Sequence, residues 1–156
     1  MAPGATKHQD LAEAAGVGDI DMEVIELLFF AYRDFTSDPD QILDEIGFGR
    51  AHHRVVHFVD RQPGLTVADL LETLRITKQS LARVLKQLVD SGHIHQVMGA
   101  QDRRQRKLYT TEKGRRLALA LAKPQSRRIA RAFRALPPGS RETVVAFLRG
   151  MLDEER

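Results

Sequence analysis

Two groups of side chains in this chain of 156 residues have types and spacings that could do chemistry. The first is a run of histidines, His52, His53 and His57, with Arg54 among them. His53 and His57 stand at i, i+4 and share a face of any helix that carries them. Imidazoles at that spacing can hold Zn²⁺ or haem iron, but two ligands need at least one more, for which Asp60, His8 or a partner chain would have to serve. Arg54-Val55-Val56 fills the gap between His53 and His57, so there is no His-Glu-x-x-His arrangement and no zinc peptidase. No metal and no cofactor is expected. As ligand-binding residues, His52, His53, Arg54 and His57 would form the polar wall of an effector pocket; as structural residues they would be polar groups where two lobes meet.

The second group is basic. Asp102-Arg103-Arg104-Gln105-Arg106 sets three arginines in five residues, and Thr77, Lys78, Gln79, Ser80 and Arg83 lie on one short segment before it. Lysine and arginine gain affinity for a phosphate backbone by releasing its counterions, whatever the base sequence. Reading bases needs side chains delivered to base edges: Gln79 can pair in two places with adenine, and Lys78 or Arg83 with guanine. Thr66, Thr77 and Ser80 sit where a helix start would let them bond phosphate oxygens. Arginines at a projecting tip suit a narrow, A·T-rich minor groove. Asp102 facing phosphate would cost affinity, so it is expected to hold Arg104 or Arg106 through a charge-assisted hydrogen bond.

Other chemistry finds little support. The chain has no cysteine, which removes disulfides, thiolate metal sites, thiol nucleophiles and thiol-based sensing. It has no tryptophan and 6% aromatic residues, too few for base-stacking platforms. The hydroxyls of Thr66, Thr77 and Ser140 stand at helix starts, where capping explains them better than nucleophilic attack, so an enzyme is not expected.

The elements that must position these groups follow from periodicity. Ile20, Val24, Leu27, Leu28, Ala31 and Phe35 recur at helical steps up to Ser37-Asp38-Pro39, and Phe29, Phe30 and Tyr32 lie off that stripe. Such an excess of apolar surface fits a helix buried in a dimer interface. A short turn of helix at Gln41–Ile46 precedes a helix over about 50–61 that Pro63-Gly64 stops. Thr66, with Asp69 three residues on, opens the next helix through a capping box, and Val67, Leu70, Leu71 and Leu74 are its apolar positions. Thr77 caps another that runs to Ser91-Gly92, with Leu81, Val84, Leu85 and Leu88 inward and Lys78, Gln79, Ser80, Arg83, Lys86 and Gln87 outward. This is a helix-turn-helix. His93–Met98 and Lys107–Thr110 read as two strands around the arginine tip, a wing. A long helix from Thr111 to Phe133 should kink or break at Pro124, and Ser140 should cap a last helix bearing Val144, Phe147, Leu148, Met151 and Leu152.

The expected fold is mainly α: a winged helix-turn-helix with terminal helices forming a dimerisation lobe, α+β only through the small wing hairpin. Residues 1–18 form a mobile arm, 19–48 an amino-terminal dimerisation helix and turn, 49–114 the DNA-binding region and 115–156 the carboxy-terminal dimerisation helices. Charge follows the same division. The net charge is +3, yet residues 1–49 hold Lys7 and Arg33 against eleven acids, a balance of −9. Residues 66–116 hold eleven bases against five acids, a balance of +6. That asymmetry fits a chain of which one region faces a polyanion. No apolar run approaches the roughly 18 residues of a membrane span, and Met1–Asp19 lacks a secretory pattern, so no membrane partner and a cytoplasmic location are expected.

From Leu65 to Gly92, and then through Asp102-Arg103-Arg104-Gln105-Arg106-Lys107-Leu108-Tyr109-Thr110-Thr111-Glu112-Lys113-Gly114, the sequence resembles the MarR family of winged-helix transcription regulators. Asp102, Arg104, Leu108, Thr111 and Gly114 match the family's wing pattern, while Thr110 stands where Leu is usual. In element order the resemblance covers about Ile20 to Leu152. Gly49–Asp60, with its paired histidines, is similar to a branch of the family that includes PetP. The resemblance implies a homodimer, built from the terminal helices, on a roughly palindromic operator in double-stranded DNA. It makes the Thr77 helix the reader and Arg104 the minor-groove arginine. It also implies an effector, because relatives commonly bind small aromatic or phenolic anions between these elements and release DNA. An architectural protein that coats DNA without a defined site, and a winged helix that binds proteins, are the alternatives.

Overall fold

The computed structural model describes residues 20–154, so the expected arm over 1–18 and His8 lie outside the described residues. The chain falls into two units, one ending at Phe35 and the other beginning at Thr36.

The first unit holds most of α1 (Met22–Ser37). Asp21 starts it, its carboxylate accepting the Val24 N–H at 3.0 Å at the end where the helix dipole favours an anion. Arg33 lies over the Phe30 ring, 4.9 Å from its centre, and bonds Asp34 at 2.9 Å. No residue of α1 is buried; Phe29 is 71% and Tyr32 65% exposed.

The second unit contains α2 (Asp40–Glu45), α3 (Arg50–Arg61), β1 (Leu65–Thr66), α4 (Val67–Leu74), α5 (Lys78–Asp90), β2 (Ile94–Met98), β3 (Arg106–Thr110), α6 (Glu112–Arg134) and α7 (Ser140–Gly150). Its core is one cluster, made by Val55, Val56 and Val59 of α3, Leu70 and Leu74 of α4, Leu81, Val84, Leu85 and Leu88 of α5, and Ile94 and Leu108 of the strands. Each such side chain contributes about 1.5–3 kcal/mol when fully buried, far more than any surface contact nearby. The core therefore sets which face of α5 turns outward.

The two expected wing strands pair as a hairpin, and a third short strand, β1, joins their sheet. They run antiparallel in the order β1-β3-β2, with Leu65 opposite Leu108 and Ile94 to Met98 opposite Thr110 to Arg106. Gly64, at φ +89°, turns the chain so that its N–H bonds the Leu108 carbonyl at 2.9 Å and Leu65 can join the sheet. Two residues are too few to show the alternation by which a strand is read from sequence.

Of the expectations for the carboxy-terminal helices, a break at Pro124 is absent and the Ser140 cap is corrected. α6 runs unbroken from Glu112 to Arg134 through Pro124. Proline removes one N–H from the ladder, and the helix-forming run on both sides supplies the rest. Ser140 does not cap α7: Gly139, at φ +85°, takes the cap position, and the Ser140 hydroxyl donates backward to the Pro137 carbonyl at 2.6 Å. Thr111 caps α6, accepting the Gly114 N–H at 3.1 Å. Among the described residues, no helix is long and apolar enough to cross a membrane.

Candidate nucleic-acid interface

α4 and α5 are fixed at their starts by side chains that the sequence supplies in register. Thr66 accepts the Asp69 N–H at 3.1 Å and Asp69 accepts the Thr66 N–H at 3.0 Å, a complete capping box. Arg75 then turns the chain in the left-handed region, at φ +51°. Thr77 accepts the Ser80 N–H at 3.1 Å and donates its hydroxyl proton to Ser80 Oγ at 3.0 Å. The Thr77 hydroxyl is thus engaged as both acceptor and donor, whereas Thr66, which only accepts, and Ser80 keep their hydroxyl protons for an outside acceptor.

With Leu81, Val84, Leu85 and Leu88 buried, α5 exposes Lys78, Gln79, Arg83, Lys86 and Gln87, and half-buries Ser80. Lys86 is tied to Asp90 at 2.6 Å and Gln87 to His52 at 2.6 Å. Lys78, Gln79 and Arg83 make no hydrogen bond or ion pair among the described residues, so three of the expected reading side chains are open to a partner.

At the wing tip Asp102 acts differently from expectation. Its carboxylate accepts the backbone N–H of Arg104 at 2.9 Å, while its carbonyl accepts the Gln105 N–H at 3.1 Å. An aspartate reaches a backbone N–H two residues on with less loss of side-chain freedom than fixing a long guanidinium would require. Asp102 therefore shapes the turn and leaves the arginines free: Arg103, Arg104 and Arg106 are exposed and form no ion pair among the described residues. Arg106 belongs to β3, not to the tip.

Gly114 joins this wing to α6. A Cβ there would fall on the His93 carbonyl oxygen, and the Thr111 hydroxyl donates to the neighbouring Gly92 carbonyl. Only glycine lets the start of α6 approach the base of the wing so closely. His93 itself is buried, with its ring 2.7 Å from the Ser91 hydroxyl; burial first, and then the charge of Lys113, hold its pKa below the ordinary imidazole value. Sequence reasoning gave His93 no role, and a histidine just after a helix-closing glycine carries no signal of one.

Of the four histidine-cluster residues, His52 is engaged apart from the others. His52 accepts the Gly49 N–H through Nδ1 at 3.0 Å, contacts Gln87 through Nε2, and stacks flat on Phe48 at 4.5 Å. Arg54 is exposed. His53 and His57 do share a side of α3, and both pKa values lie below the ordinary one. For His53 burial is the main cause, then His57; for His57 partial burial leads, then Arg61. Asp60 accepts the Thr110 hydroxyl at 3.0 Å. Among the described residues no three His, Asp or Glu side chains converge as a metal site would require.

Sequence reading also missed a groove of about 380 Å³ lined by Asp38, Pro124 and four arginines of α6, Arg127, Arg128, Arg131 and Arg134. Arg128 grips Asp38 with two bonds, at 2.6 and 2.8 Å, and holds its carboxyl below the usual carboxylate range against the opposing effect of burial. The spacing of Arg127, Arg131 and Arg134 was the available signal.

Comparison with known proteins agrees with this geometry. A family model described as the MarR family matches residues 46–105. The chain is 48% identical over 129 residues to the HTH-type transcriptional regulator PetP of Rhodobacter capsulatus, covering 83% of this chain and 78% of that protein. Among solved structures, a mutant of MepR from a multidrug-resistant S. aureus clinical isolate superposes with a TM-score of 0.73 at 20% identity, over 85% of this chain and 96% of that one. A MarR-family regulator from Silicibacter pomeroyi does so with 0.71 at 22% identity, over 83% and 88%. At such identities these two establish the shared fold.

Proposed function

Because the chain belongs to the MarR family of transcriptional regulators, we propose that it acts as a homodimer on a pseudo-palindromic operator, with α5 as reader in the major groove and the wing in the minor groove. The observation that carries the reading is the pairing of a buried leucine–valine stripe on α5 with an outer face where Lys78, Gln79 and Arg83 are open, beside a wing whose arginines are unpaired among the described residues. Gln79 reads adenine, Lys78 and Arg83 read guanine, and Ser80 donates to a phosphate oxygen. Arg104 enters the minor groove with Arg103 and Arg106 beside it. Thr66, Thr77 and Asp102 act through the caps and the turn that aim these side chains. The exposed apolar faces of α1 and α7 are what a second copy would cover, and two copies so joined would set two readers on half-sites about one helical turn apart.

Selection of duplexes from a random pool tests this directly. The chain should enrich a two-fold related site, and Arg104→Ala should weaken it about tenfold, most where the flanks are A·T-rich, while reducing the salt dependence of binding by about one phosphate contact. Gln79→Ala should change base preference more than total affinity. A specificity ratio near one against random DNA would point instead to an architectural role.

His53, His57 and Arg54 are the residues we assign to an effector, a small aromatic or phenolic anion. His52 is excluded from that role because both its ring nitrogens are engaged. A panel of such anions, added to the protein on its selected duplex, should include one that releases the DNA, and His53→Ala with His57→Ala should abolish the release.

A further inference from the structure

His52 and Gln87, one on α3 and one on the outer face of α5, form a contact that none of the proposed base, phosphate or effector contacts uses. The His52 tautomer is fixed by its neighbours. Nδ1 accepts the Gly49 N–H at 3.0 Å, so the ring proton sits on Nε2 and is donated to Gln87 Oε1 at 2.6 Å. Stacking flat on Phe48, with centres 4.5 Å apart and planes within 4°, favours this placement of the ring. Phe48 is in turn set edge-on against the buried His93 ring at 5.4 Å. The consequence falls on Gln87. Its amide oxygen is turned to His52, which leaves the NH₂ group, a donor only, as the end of the amide away from that contact. Gln87 stands two turns beyond Gln79, about 12 Å along α5, at the edge of the same outer face.

We infer that His52 is a positioning residue for DNA binding: it fixes the orientation of the Gln87 amide so that α5 presents an NH₂ donor, suited to a phosphate oxygen flanking the bases that Gln79 and Arg83 read. The inference rests on α5 being the reading helix. It gives the His52–Gln87 pair a part in affinity rather than base choice, since a phosphate contact positions the helix and carries no sequence information.

The experiment exploits two replacements that keep the cap on Gly49 and differ in what they offer Gln87 and in charge. In His52→Gln an amide oxygen accepts the Gly49 N–H and an amide NH₂ donates to Gln87 Oε1, so the conservative variant rescues the arrangement. In His52→Glu one carboxylate oxygen caps Gly49 equally well, but the other requires the Gln87 NH₂, turning the amide round and presenting its oxygen to the DNA phosphate. The probe is the duplex selected from the random pool by the unaltered chain, with thermal melting of each variant measured alongside. His52→Gln should bind within about twofold of the unaltered protein and His52→Glu about tenfold more weakly. The two should melt alike and retain the same base preference. In a Gln87→Ala background the gap between them should close to about twofold, the part that belongs to the added charge alone.

A gap that persists undiminished without Gln87, or that never opens with it, overturns the inference. Gln87→Ala alone, at an exposed position that cannot disturb the core, should cost several-fold in affinity; an unchanged affinity also overturns it, even if His52 variants fold poorly. If the unaltered chain enriches no duplex, the reading of α5 falls and this inference with it. If it does, and Arg104→Ala weakens binding while the Gln87 series is flat, only the His52–Gln87 role is lost.

Discussion

Eleven apolar side chains of α3, α4, α5 and the wing strands close into one buried cluster, whereas α1 and α7 bury no residue at all. The two regions are about equally rich in leucine, valine and phenylalanine, so composition does not separate them. What separates them is whether the apolar face meets another element of the same chain. In the winged half the helix starts at Thr66, Thr77 and Thr111 find their polar partners a few residues away, and the packing leaves one face of α5 and the wing tip outward. In the terminal helices the apolar side chains stand in solvent, Phe29 at 71% and Phe147 at 51% exposure. A region finished within one chain and a region that the proposed second copy would cover should respond in opposite ways to substitution.

Glycine gives the sharpest contrast. Gly114→Ala puts a methyl group on the His93 carbonyl oxygen, where backbone must move, and should destabilise the protein by about 3–5 kcal/mol, read as a lower denaturation midpoint and loss of DNA binding. Gly150→Ala, at the end of α7 where a Cβ meets nothing, should change stability by less than about 1 kcal/mol, and in the favourable direction. Equal effects at the two positions would mean that α6 and the wing are not locked together through Gly114.

The terminal faces should be fragile in another respect. Phe29→Asp and Phe147→Asp introduce a charge on an exposed apolar face and leave the buried cluster untouched. Each should weaken self-association by about a hundredfold, roughly 2–3 kcal/mol, seen by sedimentation, with helix content unchanged. A variant that stays dimeric and binds DNA normally would remove that helix from the proposed interface.

Acid should act on the fold in two stages. His53, His57 and His93 have folded pKa values below the ordinary imidazole value, chiefly because burial disfavours the cation. The unfolded chain therefore binds more protons than the folded one just below pH about 6.5, and stability should fall as pH drops through that window. Asp38 behaves at lower pH. Its carboxyl is held below the ordinary value of about 3.9 by Arg128, so its stabilisation is complete above that value and is lost as pH falls through the lower folded one. Asp38→Asn should cost about 1–2 kcal/mol at pH 7 and remove the lower stage while sparing the upper.

Much of this fold was legible because local chemistry and packing agree. Thr66 with Asp69, and Thr77, announce two helix starts, and the Leu81-Val84-Leu85-Leu88 stripe announces which side of α5 is buried. What failed did so where a residue has two ways to satisfy itself. Asp102 holds Arg104 through the backbone N–H rather than the guanidinium, and Ser140 bonds backward rather than capping. The histidine cluster was legible only as a spacing. Its division, with His52 turned to Gln87 and His53 beside His57, depends on α3 packing against α5, which no local pattern encodes.

Arg75 closes α4 at φ +51°, ψ +44°, the one non-glycine residue in the left-handed region among the described residues. For an L-residue with a Cβ that conformation costs about 1–2 kcal/mol, which glycine would not incur, although glycine also frees the unfolded chain and returns part of the gain. The only ion pair of the Arg75 guanidinium among the described residues is a 3.9 Å contact to Asp153, with both side chains mostly in solvent, so its loss should matter little. Arg75→Gly should therefore raise stability by about 0.5 kcal/mol, a small rise in melting temperature, because the turn between α4 and α5 belongs to the half that is complete within one chain. If the variant instead loses DNA affinity at unchanged stability, the guanidinium reaches the phosphate backbone from that turn, and the reading face extends one element further back than α5.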